Sequence, residues 1–229
     1  MKRLQLILTG ILFITGTIAI QAQTPITVKG GFLFSNVSVD GVSEAFTPGK
    51  EFLTGWQVGV YTDLPLSNVL SFTPGLQFAE KGFVANEGFN VNLFQVPVEL
   101  GVTAETRLRY IQAPLWMTYH MGEGPIKGYI TGGPTLGYAV DGNIRTKANF
   151  ILDFNVANID LDLGKDLYNR FEVGAGIGAG VEFDTGKGSL LFEANYQHAF
   201  TDILANPLVD VKVYNRGIGL NVGYKIPLH

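Results

Sequence analysis

The chain contains no cysteine, which excludes disulfide staples, thiol catalysis and cysteine-held metal centres. Charge is sparse and slightly acidic, with 16 Lys and Arg against 20 Asp and Glu and a net charge of −4 over 229 residues. Nothing resembles the basic stripe that a phosphate backbone attracts, so nucleic acid is not an expected partner. Beyond Ile20 no apolar run approaches the roughly 18 residues that a membrane-crossing helix requires. Histidine is scarce too, with only His120, His198 and His229. What the chain has in quantity is glycine, 29 residues, much of it placed with a period of two.

The N-terminus carries Lys2 and Arg3, then an apolar run from Leu4 to Ile20, then Gln21-Ala22-Gln23. Ile20 and Ala22 suit the −3 and −1 positions of a cleavage site, which predicts a signal peptide over 1–22 and a single domain over 23–229. The rival reading is an uncleaved anchor, but Thr9, Gly10, Thr15, Gly16 and Thr17 dilute the run. Loss of Lys2 and Arg3 shifts the net charge from −4 to −6. An exported chain without disulfides is held together by sheet closure and packing, and membrane residence, if it occurs, comes from strands.

Phe171 to Phe183 gives the strongest signal, because every odd position is apolar and every even one is Gly or Glu. Two-residue alternation describes a strand with two unlike walls. A water-facing wall is seldom made of four glycines, which weaken a strand and give it nothing to pack. An inside-out barrel accommodates them, with the apolar wall toward lipid and Gly and Glu toward a cramped polar interior.

Eight segments share this period: 26–36, 54–64, 70–83, 107–120, 127–140, 171–183, 189–200 and 213–226. Each is near or above the 9–11 residues that a tilted membrane strand needs. Typical pairs of walls are Phe32 and Phe34 against Lys29 and Ser35, and Ile218, Leu220 and Val222 against Gly217, Gly219 and Asn221. Connection lengths alternate as well. The joins 65–68, 122–125 and 184–188 are tight and turn-like, whereas 37–53, 84–106, 141–170 and 201–212 are long. The expectation is an all-β, eight-stranded antiparallel transmembrane β-barrel with short periplasmic turns and long extracellular loops.

Such a barrel is just wide enough for its own side chains. Inward Lys29, Lys81, Arg216 and Lys225 are expected to pair with Asp63, Glu172, Glu182 and Glu193 in an interior polar network that plugs the lumen and avoids uncompensated charge. The glycines at 174, 176, 178, 180, 217, 219 and 223 admit two readings: they make room for bulky inward Tyr61, Tyr110 and Trp116, or they leave a small cavity near one rim. Pro114, lacking a ladder donor, implies a bulge or local bend.

Catalysis finds little support. His120 points inward at a short-turn end, His198 shares the lipid-facing parity of Tyr196, and no segment offers a Ser/His/acid set. Asp153, Asp160, Asp162 and Asp166 lack the Gly and terminal Glu of a calcium-binding loop and read as a solvated face. No enzyme activity, cofactor or metal is expected. The long connections around Phe89 and Phe94, and around Phe154 and Asp160, alternate apolar with polar residues and suggest β-extensions that bind a partner by its edge or cover the barrel mouth.

Four passages resemble the PorT-type outer-membrane β-barrel domain: Lys29-Gly30-Gly31-Phe32-Leu33-Phe34-Ser35-Asn36, the stretch Tyr110 to Tyr119, Gly132-Gly133-Pro134-Thr135-Leu136-Gly137-Tyr138, and the closing Asn215 to Lys225. The chain departs from that pattern at Ala113, where a larger aliphatic is usual, and at Asn195, where Arg is frequent. The resemblance implies an outer-membrane location, contact with membrane lipid and with the barrel-assembly machinery during biogenesis, and an accessory role in type IX secretion or gliding. The leading functional expectation is a structural, adhesive or partner-binding envelope component that meets another envelope or extracellular protein through its long loops. A small-ligand barrel is the alternative.

Overall fold

Alternation of side chains across a strand gives each segment one wall that must avoid water and one that must avoid hydrocarbon, and closure of the sheet satisfies both. In the computed structural model, which describes residues 24–40, 49–93, 96–149, 153–160, 169–203 and 212–227, ten strands form one antiparallel sheet. They are β1 (Ile26–Asp40), β2 (Gly49–Thr62), β3 (Leu64–Pro65), β4 (Leu70–Leu93), β5 (Val96–Met121), β6 (Ile126–Asn149), β7 (Asp153–Asp160), β8 (Phe171–Asp184), β9 (Ser189–Ala199) and β10 (Lys212–Ile226). The two-residue β3 continues β2, and β7 pairs only with β6, so the wall has eight staves. First and last strands meet along Ile26↔Ile226 to Asp40↔Lys212. The ring closes where β2 pairs with β4, as in Val58↔Phe78. Among the described residues no helix is long and apolar enough to cross a membrane.

The walls face as the alternation requires. Ile177, Leu220 and Phe192 are 59%, 51% and 46% exposed on the outside, whereas Glu172, Glu182 and Glu193 are 5%, 9% and 5% exposed within. Aromatic pairs such as Trp56 and Phe78, stacked at 4.8 Å, lie on the outer surface.

One rim carries tight turns. Gly122 and Gly124 (φ 87° and 94°) turn the β5–β6 connection and Gly186 (φ 79°) the β8–β9 connection, in left-handed backbone that side-chain-bearing residues avoid. The Asp184 carboxylate accepts from the Gly186 amide at 2.7 Å, fixing that turn locally. The opposite rim is taller. β4, β5 and β6 run 24, 26 and 24 residues, against 11 in β9. β4 and β5 stay paired to Leu93↔Val96, so the hairpin rises roughly 30 Å beyond Phe83 at 3.3 Å per residue. β6 joins it through Gly101↔Asn149, and β7 adds an outer strand through Asn149↔Asp153. The stretches 84–93, 96–106 and 141–149, expected as parts of loops or loop-borne β-extensions, are therefore continuations of the barrel staves.

Of the bulge or local bend expected at Pro114, the register shows no bulge. The β4–β5 ladder is interrupted between Pro74↔Leu115 and Gln77↔Gln112 without a change of register, and the register shift against β6 falls higher, between Arg109 and Tyr110.

Most glycines of the interior make room. A methyl group built on Gly176 would lie 2.4 Å from Trp116 Cζ2, on Gly180 2.4 Å from Tyr129 Cζ, and on Gly75 2.3 Å from Tyr61 Cδ1. Tyr110 has a different setting, beneath an apolar layer with Val37, Leu108, Ala139 and Ile203. Replacement Gly176→Val should therefore destabilise the barrel by about 1–3 kcal/mol, the range for overpacking a filled core. Denaturant unfolding in lipid vesicles measures it, with Trp116→Ala expected to relieve most of the added cost; an unchanged midpoint would show that the indole does not need this space.

Candidate functional site in the barrel interior

Inward parity on all eight staves brings the polar side chains into successive layers along the axis. Nearest the short-turn rim, the Lys225 ammonium lies 3.0 Å from Asp63 and 2.6 Å from Glu182. Thr73 donates to Asp63 at 2.9 Å and shares hydrogen bonds that run on through Thr118 to Thr131. His120, half-buried here, places Nε2 3.3 Å from the Ser71 hydroxyl. One layer up, Lys29 donates to Glu193 at 2.8 Å, which also accepts from the Tyr129 hydroxyl at 3.0 Å. The same ammonium stands 4.0 Å over the Tyr61 ring, a cation–π contact in a desolvated setting.

The middle of the barrel is cross-braced by amides. The Tyr61 hydroxyl donates to Gln77, Gln77 to Gln112 at 2.7 Å, and Gln112 to Glu172 at 3.1 Å. Gln57 donates to Asn221 at 2.8 Å, and the Trp116 indole to Thr135 at 3.1 Å. Glu172 then receives Lys81 at 2.9 Å and Asn215 at 2.8 Å. Every donor in the Tyr61–Gln77–Gln112 relay points toward this carboxylate, so its charge polarises the whole chain of bonds.

Above Glu172 the lumen ends in apolar packing. The segment after β9 folds inward: the Asn169 amide donates to the Ile203 carbonyl at 2.9 Å, the Ile203 amide to the Val213 carbonyl at 2.9 Å, and the Val213 amide to the Asp202 carboxylate at 3.0 Å. Ile203 thereby enters the long-loop mouth and packs with Val37, Leu108, Tyr110 and Ala139. The short-turn end is more open. A void of about 20 Å³ lies between the Lys29 and Lys225 layers, enough for about one water. A vestibule of about 750 Å³ outside it reaches His120, Glu182 and Lys225.

Seven of the eight residues expected in the network thus lie in three interior ion clusters: Lys29 with Glu193, Lys81 with Glu172, and Lys225 with Asp63 and Glu182. Arg216 is the correction. It is exposed on the outer wall, because it shares the parity of Ile218 and Leu220 and not that of Gly217 and Asn221. Glu80 was not foreseen. It has the outward parity, directly opposite Arg109 in the β4–β5 register, and is buried there by holding Arg107 at 2.6 Å and Arg109 at 3.4 Å. Tyr129, Gln77, Gln112 and Asn215 were legible by parity alone. Of the partner-binding candidates, Phe89, Phe154 and Asp160 lie on paired backbone opposite Leu100, Ala148 and Asn143. Phe94 falls outside the described residues, as do Asp162, Asp166, His229 and the predicted signal peptide.

No catalytic grouping or metal-holding cluster forms among the described residues. His120 faces a hydroxyl, Ser71, but its surroundings pair into ion clusters and provide no acid aimed at its second nitrogen among the bonds described.

Residues 21–205 match the family profile described as outer membrane protein beta-barrel domain. Among solved structures, Neisserial surface protein A is 13% identical, with 88% of this chain and 96% of that one covered and a TM-score of 0.43. Ail, the attachment invasion locus protein of Yersinia pestis, is 16% identical over 89% of this chain and 99% of that one, TM-score 0.37. OprG from Pseudomonas aeruginosa is 14% identical over 89% and 96%, TM-score 0.37. No relative emerges among curated protein sequences.

Removing one member of the upper ion pair tests the network. Glu172→Gln leaves Lys81 without its counter-charge, and the expected loss is about 3–5 kcal/mol. Lys81→Met combined with Glu172→Gln should recover most of it. Unfolding free energies in vesicles decide, and equal losses in the single and double variants would show that charge pairing is not what holds this layer.

Proposed function

This chain belongs to the outer membrane protein beta-barrel domain family, and from that premise we propose that it is a closed, non-conducting and non-enzymatic barrel serving the envelope through the sheet it raises above the membrane. The observation that carries this reading is the contrast between its two functional regions. The lumen is occupied by paired charges, amide braces and the Ile203 layer, whereas β4, β5, β6 and β7 continue as one paired sheet well past the wall.

A filled eight-stranded lumen leaves no column of water for solutes. A protruding antiparallel sheet, by contrast, offers backbone edges and alternating side chains to an extended segment of another protein. Binding at that sheet leaves the membrane wall untouched, so adhesion or assembly contacts evolve without cost to the barrel. The PorT-like accessory role in type IX secretion or gliding is a finer form of the same reading, in which the partner belongs to the secretion apparatus. Export would proceed by cleavage after Ala22, with the assembly machinery closing β1 on β10 in the membrane. A small-ligand reading draws on the vestibule by His120, Glu182 and Lys225.

Two measurements test the reading. The purified chain in a planar bilayer should give no stepwise conductance, and stable openings would contradict a plugged lumen. Photo-crosslinkers placed at Phe89 or Phe154 on intact cells should trap a protein adduct, whereas one at Phe192 should trap none. Equal yields from all three sites would remove the raised sheet as the contact surface.

A further inference from the structure

Arg216 stands where a lipid-facing wall ends. Outward positions on β10 run Ile226, Tyr224, Val222, Leu220 and Ile218, all apolar or aromatic and all exposed, and Arg216 follows. The ten residue steps from Ile226 to Arg216 span roughly 33 Å along the strand, which a tilt near 40° converts to about the 25 Å of an apolar belt. The guanidinium is therefore at headgroup level on the long-loop side.

Its neighbours are polar and aromatic. The register sets Arg216 beside His198 on β9 and Asn36 on β1. Tyr196 and Phe200 flank His198 on the same outward face, with ring centroids 6.4 Å and 5.5 Å away, and the Tyr196 hydroxyl lies 3.4 Å from His198 Nδ1. When Nδ1 accepts that hydroxyl, Nε2 carries the proton and is free to donate outward.

The other side of the collar is built differently. There Arg107 and Arg109 are neutralised by Glu80, Glu105 and Asp141. Arg216 has no ion pair among the described residues, and its planar fork suits a phosphate. Four residues lower, roughly 13 Å along the strand, the same wall carries a groove of about 580 Å³ between Phe32, Leu220, Phe192 and Val222, floored by Ala179 and Ala194. The register explains the dent, since Leu220, Ala194 and Ala179 are laterally adjacent and the two alanines are the small members of an otherwise bulky row.

We propose that β8, β9 and β10 form a site for one phosphorylated lipid of the outer leaflet, with its phosphate held by Arg216 and His198 and an acyl chain lying in the groove over Ala179 and Ala194. The site rests on the reading of the wall as membrane-embedded with its long loops outside. The lipid supplies the missing counter-charge at the collar, and its chain fills a depression that disordered lipid would pack poorly.

Native mass spectrometry of the full chain in micelles doped with dimyristoyl phosphatidic acid tests this. One phosphatidic acid should be retained, and dimyristoylglycerol, which lacks the phosphate, should not. Arg216→Gln should lower occupancy about tenfold and Ala194→Leu, which fills the groove, by a similar factor, while Lys187→Gln at the opposite rim should leave it unchanged. Full retention by Arg216→Gln, equal retention of dimyristoylglycerol, or displacement by millimolar inorganic phosphate would each overturn the proposal, the last by identifying a free-anion site. Heat-modifiable migration of each variant reports the barrel separately, so its failure in the unsubstituted chain would count against the membrane reading and not against the lipid site.

Discussion

Backbone amides in hydrocarbon have no water to bond, so every stave of the wall must be paired on both sides, and no edge can be left at membrane depth. The β2–β4 ladder and the long β1–β10 ladder meet that demand. Once the sheet is closed, the two faces of each strand have different solvents. Outward residues meet lipid tails, inward residues meet one another, and the composition of each face follows from this division.

The inward face solves a crowding problem and a charge problem together. Trp116, Tyr129 and Tyr61 fit because Gly176, Gly180 and Gly75 stand across from them. Lys29, Lys81 and Lys225 are tolerated because each reaches a carboxylate within 3.0 Å. Neither arrangement is a strong source of stability by itself, since burying an ion pair costs desolvation comparable to what the attraction returns. Their effect is on specificity: a strand slipped by one residue would drive these ammonium groups into lipid and turn the apolar wall inward. The interior thus fixes register, and register in turn sets the height of the collar and the raised sheet.

Much of this was legible in the amino-acid sequence because a period of two is a direct image of a two-sided wall. Lys29, Lys81, Glu172, Glu182, Glu193, Asp63 and Lys225 all occupy the inward parity of strands whose alternation is unbroken around them. Charge alone suggests an inward place for Arg216, but the side chain follows its parity with Ile218 and is exposed. Glu80 shows a different case: it keeps the outward parity, and its burial depends on ion pairs with Arg107 and Arg109 that only the β4–β5 register brings together. Ile203 is one of several apolar residues in the connection 201–212, and only the return of the chain to Val213 brings it into the mouth. The heights of β4, β5 and β6 were hidden because alternation continues beyond the membrane as readily as within it.

Together these features give a wall whose outside is specified by lipid and whose inside is specified by itself. The most direct test of that division uses the absence of native cysteine, which makes any introduced thiol unique. Nitroxide labels at Ile218, Gly219, Leu220, Asn221 and Val222 in turn, read in vesicles for relaxation by oxygen against a water-soluble nickel chelate, report lipid or interior at each position. Strong oxygen relaxation at 218, 220 and 222 with little at 219 and 221 is the predicted result. The opposite alternation, or none, would contradict an inside-out barrel.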